Sequence, residues 1–449
     1  MRRSAGLATI ALAAALAAGC GGGEEPFRIG VLPECRSSLS GAYEPLLAAA
    51  ELPLIERGAH LAGHDPSDGL VDARVAGREV RLAFGCEAAE QDAFDSVASL
   101  LEVRRLVERE GADVMILSTG EPWTLELRDY ARRHPGVTFV IGWGHVQSAT
   151  LRDAAPNVFS FFPNVLQQAA AAGAYAYNRL GWRRAVTVHN DHTWGWTETA
   201  GFTAVFCALG GEVVDRVWAP RFGPLDAPAI VKRVRKVAPD GIFLAQGDVA
   251  LVTALANGLP LLRGNMGDEL IGTWWGLGDP SIQLALRERL DGVLTTTAGS
   301  APSGDSLPAN ARYWALYAKT FPGQPSFWAL HGGGTATYVS VAAVAKALEG
   351  VRGDLGDGQR RFQEALRDVE LDAPNGRLRL DEHRQVIGTG WLTRRKVVNG
   401  ERTDIALPPV GGIDTTLGGL LGPDSPPPSR TSPPCRRGHA PSWARTLGR

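Results

Sequence analysis

Short apolar runs alternate with longer segments in which apolar residues recur every three or four positions. Residues 27–32 (FRIGVL) and 112–117 (ADVMIL) have the length and composition of buried strands. Residues 94–110 carry valine and leucine at the spacing of one helix face. Strands that alternate with helices predict a parallel sheet covered by helices on both faces.

The alternation breaks near residues 155–157 and then restarts, which predicts two α/β units in tandem. A chain of 449 residues exceeds the roughly 250–300 residues that one hydrophobic core supports. Strands are predicted at residues 27–32, 80–84, 112–117, 137–141, 185–189, 212–218, 241–245, 270–273, 292–297, 376–380 and 388–398. Helices are predicted at residues 44–62, 94–110, 123–134, 165–180, 197–209, 227–237, 249–256, 313–321 and 335–348.

These elements predict a division of the chain into five parts. The N-terminal lobe is expected at residues 27–160 and 291–352, and the C-terminal lobe at residues 161–290 and 353–409. Residues 410–449 are rich in Pro, Gly, Ser and Arg without periodicity, so we expect a disordered tail. Residues 1–19 and 20–26 are interpreted as a signal peptide and a tether.

The N-terminus has the pattern of a lipoprotein signal peptide. Arg2 and Arg3 precede an apolar run at residues 7–18, which is shorter than the ~20 residues that span a bilayer. The run ends in LAAGC, with small residues directly before Cys20. We expect lipid on Cys20, a flexible Gly-Glu tether, and a protein anchored to the cell membrane, facing the periplasm or cell exterior. An ordinary signal peptide cut at an Ala-x-Ala site is the alternative.

Composition and charge exclude some function classes. The chain is 44% hydrophobic and 21% charged, with a formal net charge of -2. It can build large cores and lacks the basic excess of nucleic-acid-binding proteins. We expect no nucleic-acid partner.

The remaining cysteines show no metal-binding spacing. Cys35 and Cys86 each follow a predicted strand, and parallel neighbours would bring them to the same sheet edge, so a disulfide is expected in an oxidising compartment. Cys207 lies in a helical stretch and is expected to be a small buried residue.

Five segments together carry a family resemblance. They are FRIGVL at 27–32, GADVMIL at 111–117, GVTFVIG at 136–142, NVFSFFP at 157–163 and GWRRAVTVHNDHTWGW at 181–196. Over residues 27–409 the chain resembles type I periplasmic solute-binding proteins of ABC transporters, in the branched-chain amino-acid-binding (leucine-binding protein) group. The resemblance implies two doubly wound parallel-sheet lobes joined by three crossovers, with a small polar solute, an amino acid or related compound, bound between them.

The resemblance also implies a mechanism and partners. Ligand would favour closure by hinge rotation at residues 159–163, 295–299 and 348–354. The closed protein would pass its solute to an ABC transporter permease, acting as a monomer without cofactor or catalysis.

In the first lobe the resemblance places the ligand carboxylate at two loops that follow strands. One loop contains Ser118, Thr119, Gly120 and Glu121. The other contains the ligand-binding candidates Trp143, Gly144 and Gln147. Alternatively, the two hydroxyl side chains of the first loop only cap the following helix.

In the second lobe the resemblance places Trp194 over the ligand, in place of the family's usual tyrosine. Asp248, and Trp275 or its neighbour Trp274 with Asp279, lie in loops that supply the ammonium partner in the family. Packing of Trp194 at a lobe edge and helix capping by Asp248 are the alternatives. His189, Asp191 and His192 share one loop without a fourth remote ligand, so no metal site is expected.

Three further classes of protein were considered. The sequence HGGG at residues 331–334 looks like an esterase oxyanion loop, but the chain has no Gly-x-Ser-x-Gly nucleophile motif. Its glycines are interpreted as sites of close packing. A nucleoside-binding lipoprotein of the same fold is the alternative function, and a sensory module serving a separate partner is another.

Overall fold

The computed structural model describes residues 25–33, 35, 40–86, 89–90, 93–94, 96–117, 124–220, 223–245, 249–262, 266–277, 280–297, 299–399 and 401–447. The predicted signal peptide and Cys20 lie outside these ranges, as do Ser118, Thr119, Gly120, Glu121, Asp248 and Asp279.

The strands are β1 (Phe27–Leu32), β2 (His60–Leu61), β3 (Leu70–Val71), β4 (Arg74–Val75), β5 (Arg78–Phe84), β6 (Ala89–Glu90), β7 (Ala93–Phe94), β8 (Val114–Leu117), β9 (Thr138–Ile141), β10 (Val158–Phe159), β11 (Arg184–Asn190), β12 (Glu212–Ala219), β13 (Gly241–Ala245), β14 (Leu270–Gly272), β15 (Leu294–Thr296), β16 (Leu371–Ala373), β17 (Gly376–Leu378), β18 (Gly388–Gly390), β19 (Leu392–Val398), β20 (Glu401–Ala406) and β21 (Val410–Ile413).

The helices are α1 (Tyr43–Ile55), α2 (Ser96–Arg104, continued by a π-helical turn at Arg105–Arg109), α3 (Thr124–Arg133), α4 (Ser148–Leu151), α5 (Val165–Asn178), α6 (Thr193–Ala208), α7 (Ala227–Val237), α8 (Val249–Gly258), α9 (Trp274–Leu277), α10 (Pro280–Leu286), α11 (Pro308–Thr320), α12 (Phe327–Leu330), α13 (Gly332–Gly350), α14 (Arg360–Arg367) and α15 (Ser442–Thr446).

The N-terminal lobe is built on a sheet of order β10-β9-β8-β1-β5-β4. Its strands pair in parallel except for the β4–β5 hairpin. The central strands β8 and β9 are buried along their whole length, as expected when helices cover both faces. Helices α1 and α13 pack together within the larger of the two hydrophobic clusters of this lobe.

The C-terminal lobe has a sheet of order β12-β11-β13-β14-β15-β19-β20. Parallel pairing holds from β12 to β15, whereas β19 runs antiparallel to β15 and forms a hairpin with β20. Helix α7 shows why such elements form. Asp226 accepts a hydrogen bond from the Ala229 backbone N–H at its start, and Ile230, Val231 and Val234 are buried on one face.

Two segments lie in a different lobe from the one predicted. Strand β15 was predicted in the N-terminal lobe, but Leu294 pairs with Ile271 and Arg394 in the C-terminal sheet. The segment after residue 352 was predicted in the C-terminal lobe, yet α14 packs on the N-terminal lobe, where Phe362 contacts the ring of Phe27 at a centroid distance of 5.7 Å. Neither segment belongs to a regular strand-helix alternation, so the sequence pattern alone does not assign them.

Within the described residues, three connections join the lobes, at residues 159–164, at residues 297 and 299–301, and at residues 381–388. The first two are near the predicted positions. The third was predicted at 348–354, but those residues end α13 within the N-terminal lobe. The actual connection pairs with the first one, since the Ser160 N–H donates to the Arg384 carbonyl and the Val386 N–H donates to the Ser160 carbonyl, each at 2.9 Å.

The predicted disordered tail is folded in the structure over residues 410–447. Leu417, Leu421 and Ala444 are buried in the core of the C-terminal lobe. Cys435 forms a disulfide with Cys207, with Cα atoms 5.3 Å apart, so Cys207 is not the unpaired buried residue that the sequence predicted. Composition suggested disorder because the few apolar anchors are widely spaced among Pro and Gly.

A second disulfide joins Cys35 and Cys86, the pair expected from the sequence, with Cα atoms 5.4 Å apart. None of the helices in the described part of the chain combines the length and apolar character needed to cross a membrane.

Candidate functional site

Two tryptophans face each other where the lobes meet. Trp143 follows β9 of the N-terminal lobe, and Trp194 lies in the first turn of α6, just after β11 of the C-terminal lobe. Their ring centroids are 6.3 Å apart and the rings are nearly perpendicular, which is an edge-to-face arrangement that aromatic pairs favour. Both residues are 7% exposed. They lie beyond the carboxyl ends of their strands, the usual ligand position in such folds.

Three further aromatic side chains extend this contact. Trp274 follows β14, and Phe327 and Trp328 lie on α12 of the N-terminal lobe. The Trp328 ring is 6.3 Å from Trp143 and 5.6 Å from Trp274, and Trp274 stacks on Phe327 at 5.2 Å. We name Trp143, Trp194, Trp274, Phe327 and Trp328 the aromatic cluster.

Sequence reasoning identified part of the aromatic cluster. Trp143 and Trp194 were predicted, and Trp274 was named beside Trp275, whose side chain lies outside the described set. Phe327 and Trp328 were missed because α12 spans four residues and has no visible periodicity. The sequence SFWALHGGG before a long apolar helix was the available signal.

The position of α6 depends on close helix packing. Helices α5 and α6 meet at Gly173 and Gly201, where an added Cβ would overlap the carbonyls of Phe202 and Leu166 respectively. Two glycines therefore let the backbones approach closely, which fixes the direction of α6 and of Trp194 at its start.

The polar edge of the site lies at the start of α13. The Gly332 N–H donates to Ser300 Oγ at 2.7 Å. His331 precedes it, with its ring centroid 5.5 Å from those of Trp314 and Phe327, and burial lowers the pKa of His331 to about 4. A neutral imidazole therefore borders the aromatic cluster at pH 7. Gly334 packs where a Cβ would overlap the Ala329 carbonyl, in agreement with the interpretation of the HGGG glycines.

A group of buried residues is hydrogen-bonded at the connections between the lobes. It consists of His145, Thr150, Gln385 and the backbone carbonyl of Phe162, and we name it the crossover cluster. Gln385 Oε1 accepts from Thr150 Oγ1 and contacts His145 Nε2, both at 2.9 Å, and its Nε2 donates to the Phe162 carbonyl at 2.7 Å. Burial lowers the pKa of His145 to about 4, although its hydrogen bonds with Gln385 and Gly142 favour the protonated form. These bonds tie the N-terminal lobe to two of the three connections.

Gln147, a predicted ligand-binding residue, is committed elsewhere. Its side chain is fully buried, its Nε2 donates to the carbonyls of Thr415 at 2.7 Å and Leu421 at 3.3 Å, and its Oε1 accepts from Arg152 at 3.0 Å. These bonds use the amide within the protein. Gly144, another candidate, forms the turn after Trp143 with a φ of 74°, a conformation that glycine adopts without strain.

The loop of His189, Asp191 and His192 has structural partners. His189 Nε2 lies 2.5 Å from Glu198 Oε2, with both side chains buried, and burial lowers the pKa of His189 although the bond with Glu198 opposes the shift. Asp191 Oδ1 accepts from Trp196 Nε1 at 2.9 Å. Within the described ranges, no group of three or more His, Cys, Asp or Glu side chains is placed to hold a metal ion.

Comparison with known families identifies the chain. A family model described as periplasmic binding protein matches residues 36–401. The chain belongs to the periplasmic binding protein family. No curated protein sequence matches it.

Solved structures show that this periplasmic binding protein has the type I fold. An ABC transporter substrate-binding protein from Sphaerobacter thermophilus has a TM-score of 0.70 and 23% identity, over 87% of this chain and 99% of that one. A solute-binding protein from Rhodopseudomonas palustris HaA2, in complex with p-hydroxybenzoic acid, has a TM-score of 0.68 and 20% identity, over 86% and 98%. A leucine-binding protein from Thermotoga maritima has a TM-score of 0.64 and 19% identity, over 84% and 97%.

Proposed function

We propose that this periplasmic binding protein is the extracytoplasmic solute-binding component of an ABC importer, and that its solute is a small carboxylate with an apolar or aromatic body. The aromatic cluster carries the proposal, since Trp143, Phe327 and Trp328 come from one lobe and Trp194 and Trp274 from the other. Indole and phenyl faces bind apolar and aromatic groups through buried area and ring contacts. A solute held by both sets favours the closed arrangement, because both sets touch it only there.

The carboxylate is supported by the similar proteins of known structure. One is in complex with p-hydroxybenzoic acid and another is a leucine-binding protein. These two compounds share a carboxylate and an apolar body. The amino acid expected from the sequence therefore falls within the proposed class, together with aromatic acids.

Export and anchoring complete the proposal. The apolar run at residues 7–18 and the small residues before Cys20 support a lipidated N-terminus that holds the protein at the membrane surface, where it delivers solute to a permease. Replacing Cys20 by Ser is expected to abolish incorporation of labelled palmitate and release the protein from the membrane fraction. Retention of the label in that variant would contradict lipidation at Cys20.

Thermal unfolding with a matched panel of solutes tests the binding proposal. The chain without residues 1–19, carrying Cys20→Ser, is heated with benzoate, 4-hydroxybenzoate, L-leucine, L-phenylalanine, adenosine or glucose. A ligand at about 100 times its Kd stabilises the folded state by about 2.7 kcal/mol, which raises the melting temperature measurably. We expect a shift with at least one carboxylate and none with adenosine or glucose. A shift with adenosine alone would favour the nucleoside-binding alternative.

A further inference from the structure

Residues 410–447, here named the strap, are held on the C-terminal lobe. Leu417 and Leu421 lie in its hydrophobic core, and the Ala444 carbonyl accepts from Asn178 Nδ2 of α5 at 2.7 Å. Cys435 is bonded to Cys207, near the end of α6. The strap is therefore joined covalently to the same helix that carries Trp194 at its other end.

The strap also reaches the N-terminal lobe. Gln147 and Arg152 flank α4, in the segment that follows Trp143. Gln147 Nε2 donates to two strap carbonyls, at Thr415 and Leu421, and Arg152 Nε donates to the Ser425 carbonyl at 3.3 Å. The loop that bears Trp143 is thus fixed to a segment whose core contacts lie on the other lobe.

Thr415 joins the strap to the connections between the lobes as well. Its backbone N–H donates to Asp381 Oδ2 at 3.2 Å, and its hydroxyl accepts from Asn164 Nδ2 at 3.2 Å. Asp381 starts the third connection and Asn164 caps α5 at the end of the first. Thr415 therefore bonds two of the three connections and, through Gln147, the segment that follows Trp143.

A further attachment of the strap lies on the turn before Trp194. Arg430 Nε donates to Asp191 Oδ1 at 2.8 Å, and a second bond from its guanidinium reaches Asp191 Oδ2. Asp191 also accepts from Trp196 on the far side of Trp194. Burial raises the pKa of Asp191, but the bonds from Arg430 and Trp196 outweigh this effect and lower it overall, so the carboxylate is charged at pH 7.

We propose that the strap positions Trp143 and Trp194 against each other, with Gln147 of the N-terminal lobe and Arg430 of the strap as the positioning residues. The two tryptophans belong to different lobes, and the strap bonds the loop of each one. Its consequence for solute affinity rests on the proposed binding function, whereas its effect on the two loops does not.

Arg430→Ala tests the attachment of the strap to the Trp194 turn of the C-terminal lobe, and Arg233→Ala is its matched control. Arg233 pairs with Asp215 in the same two-bond geometry, with side chains of similar exposure, on the same lobe but away from Trp194. Exposed pairs of this kind contribute at most about 1 kcal/mol, so both variants should unfold at nearly the same urea concentration.

Hydrogen exchange in the ligand-free protein then separates the two variants. With Arg430→Ala we expect exchange of the amides at residues 191–196 to be about fivefold faster, with partial restoration by Arg430→Lys, and no such change with Arg233→Ala. Equal exchange of this segment in the wild type and in Arg430→Ala would overturn the role of Arg430.

Gln147→Met tests the attachment of the strap to the Trp143 segment of the N-terminal lobe, and Gln359→Met is its control. Gln359 is also buried and donates to a backbone carbonyl, that of Asp113, but its bonds stay within the N-terminal lobe. We expect about tenfold faster exchange at residues 143–152 with Gln147→Met and no change there with Gln359→Met. Unchanged exchange of residues 143–152 in Gln147→Met would overturn the role of Gln147.

Calorimetry with 4-hydroxybenzoate and with L-leucine distinguishes failure of this inference from failure of the proposed function. Looser loops combined with at least threefold weaker binding of either compound support both. Looser loops without binding of either compound by the wild type support the strap and count against the solute class. Unchanged loops with normal binding overturn the strap alone.

Discussion

The crossover cluster and the aromatic cluster both lie where the lobes meet, but the first is buried and the second is partly exposed, at Phe327 most of all. They also hold the lobes together by different forces. Gln385 makes directional hydrogen bonds to both the N-terminal lobe and a connection. The aromatic cluster makes ring contacts at centroid distances of 5.2–6.3 Å. Hydrogen bonds weaken when their geometry changes. Contacts between apolar rings are not directional, so they can be replaced by contacts between the rings and a solute. The polar group is therefore suited to fixing the connections and the aromatic group to admitting a ligand.

The largest effect is expected from Gln385→Ala in the crossover cluster. It removes the Gln385 partner of Thr150 Oγ1 and of His145 Nε2 in a buried site, while the Phe162 carbonyl still accepts from Ser160 Oγ. The free energy of unfolding should fall by roughly 4 kcal/mol. Urea unfolding measures this loss. Gln363→Ala is the control, since that side chain bonds Pro135 and Thr138 at the partly exposed edge of one lobe. A loss no larger than that of the control would contradict the distinction between the clusters.

The dependence of stability on acid pH compares His145 of the crossover cluster with His331 beside the aromatic cluster. Burial lowers the pKa of both His145 and His331 from 6.5 to about 4, so the unfolded chain binds protons at higher pH than the folded one. The stability that each neutral ring contributes is complete above pH 6.5 and is lost as the pH falls towards 4, by at most about 3 kcal/mol per residue.

Urea unfolding at pH 7.5 and pH 4.5 measures the acid effect. His145→Gln and His331→Gln should each show a smaller loss between these pH values than the wild type. If neither substitution reduces the loss, these histidines do not account for it.

Trp194→Ala in the aromatic cluster should weaken binding by at least tenfold, equivalent to about 1.4 kcal/mol, while the protein stays folded. The ligand is whichever carboxylate of the thermal-unfolding panel stabilises the wild type. Trp194 packs in a small group with Val146 and Val165, apart from the main cores. Calorimetry and circular dichroism measure affinity and folding. Trp182→Phe is the control, at a buried tryptophan of the C-terminal lobe outside the aromatic cluster, and it should leave affinity unchanged. Equal affinity of Trp194→Ala and the wild type would exclude Trp194 from the site.

The smallest effect is expected from Thr150→Val. It removes one hydrogen bond to Gln385 and should lower the free energy of unfolding by about 1 kcal/mol without changing solute affinity. Urea unfolding and calorimetry provide the two measurements. A change in affinity without a change in stability would show that the two clusters are not separable.

The sequence predicted most strands that carry the site, because buried parallel strands are continuous apolar runs. β1 and β13 have the predicted bounds, β8, β9 and β14 differ by one or two residues at one end, and β11 is one residue longer at each end. Loop residues that follow such strands could be named in the same way, which is how Trp143 and Trp194 were found. Gln147 was predicted to bind ligand because it follows such a strand. Its partners Thr415 and Leu421 lie more than 260 positions away, so the local sequence does not reveal them.

Local sequence patterns were enough to predict the two α/β lobes, the Cys35–Cys86 pair and the ends of the strands where the tryptophans lie. These features depend on periodicity and on the order of elements along the chain. Those patterns did not show which lobe receives α14 and β15, that Cys207 pairs with Cys435, or that the strap is folded. Each of these depends on contacts between segments far apart in the chain, whose free energy arises from complementary packing that no local pattern records.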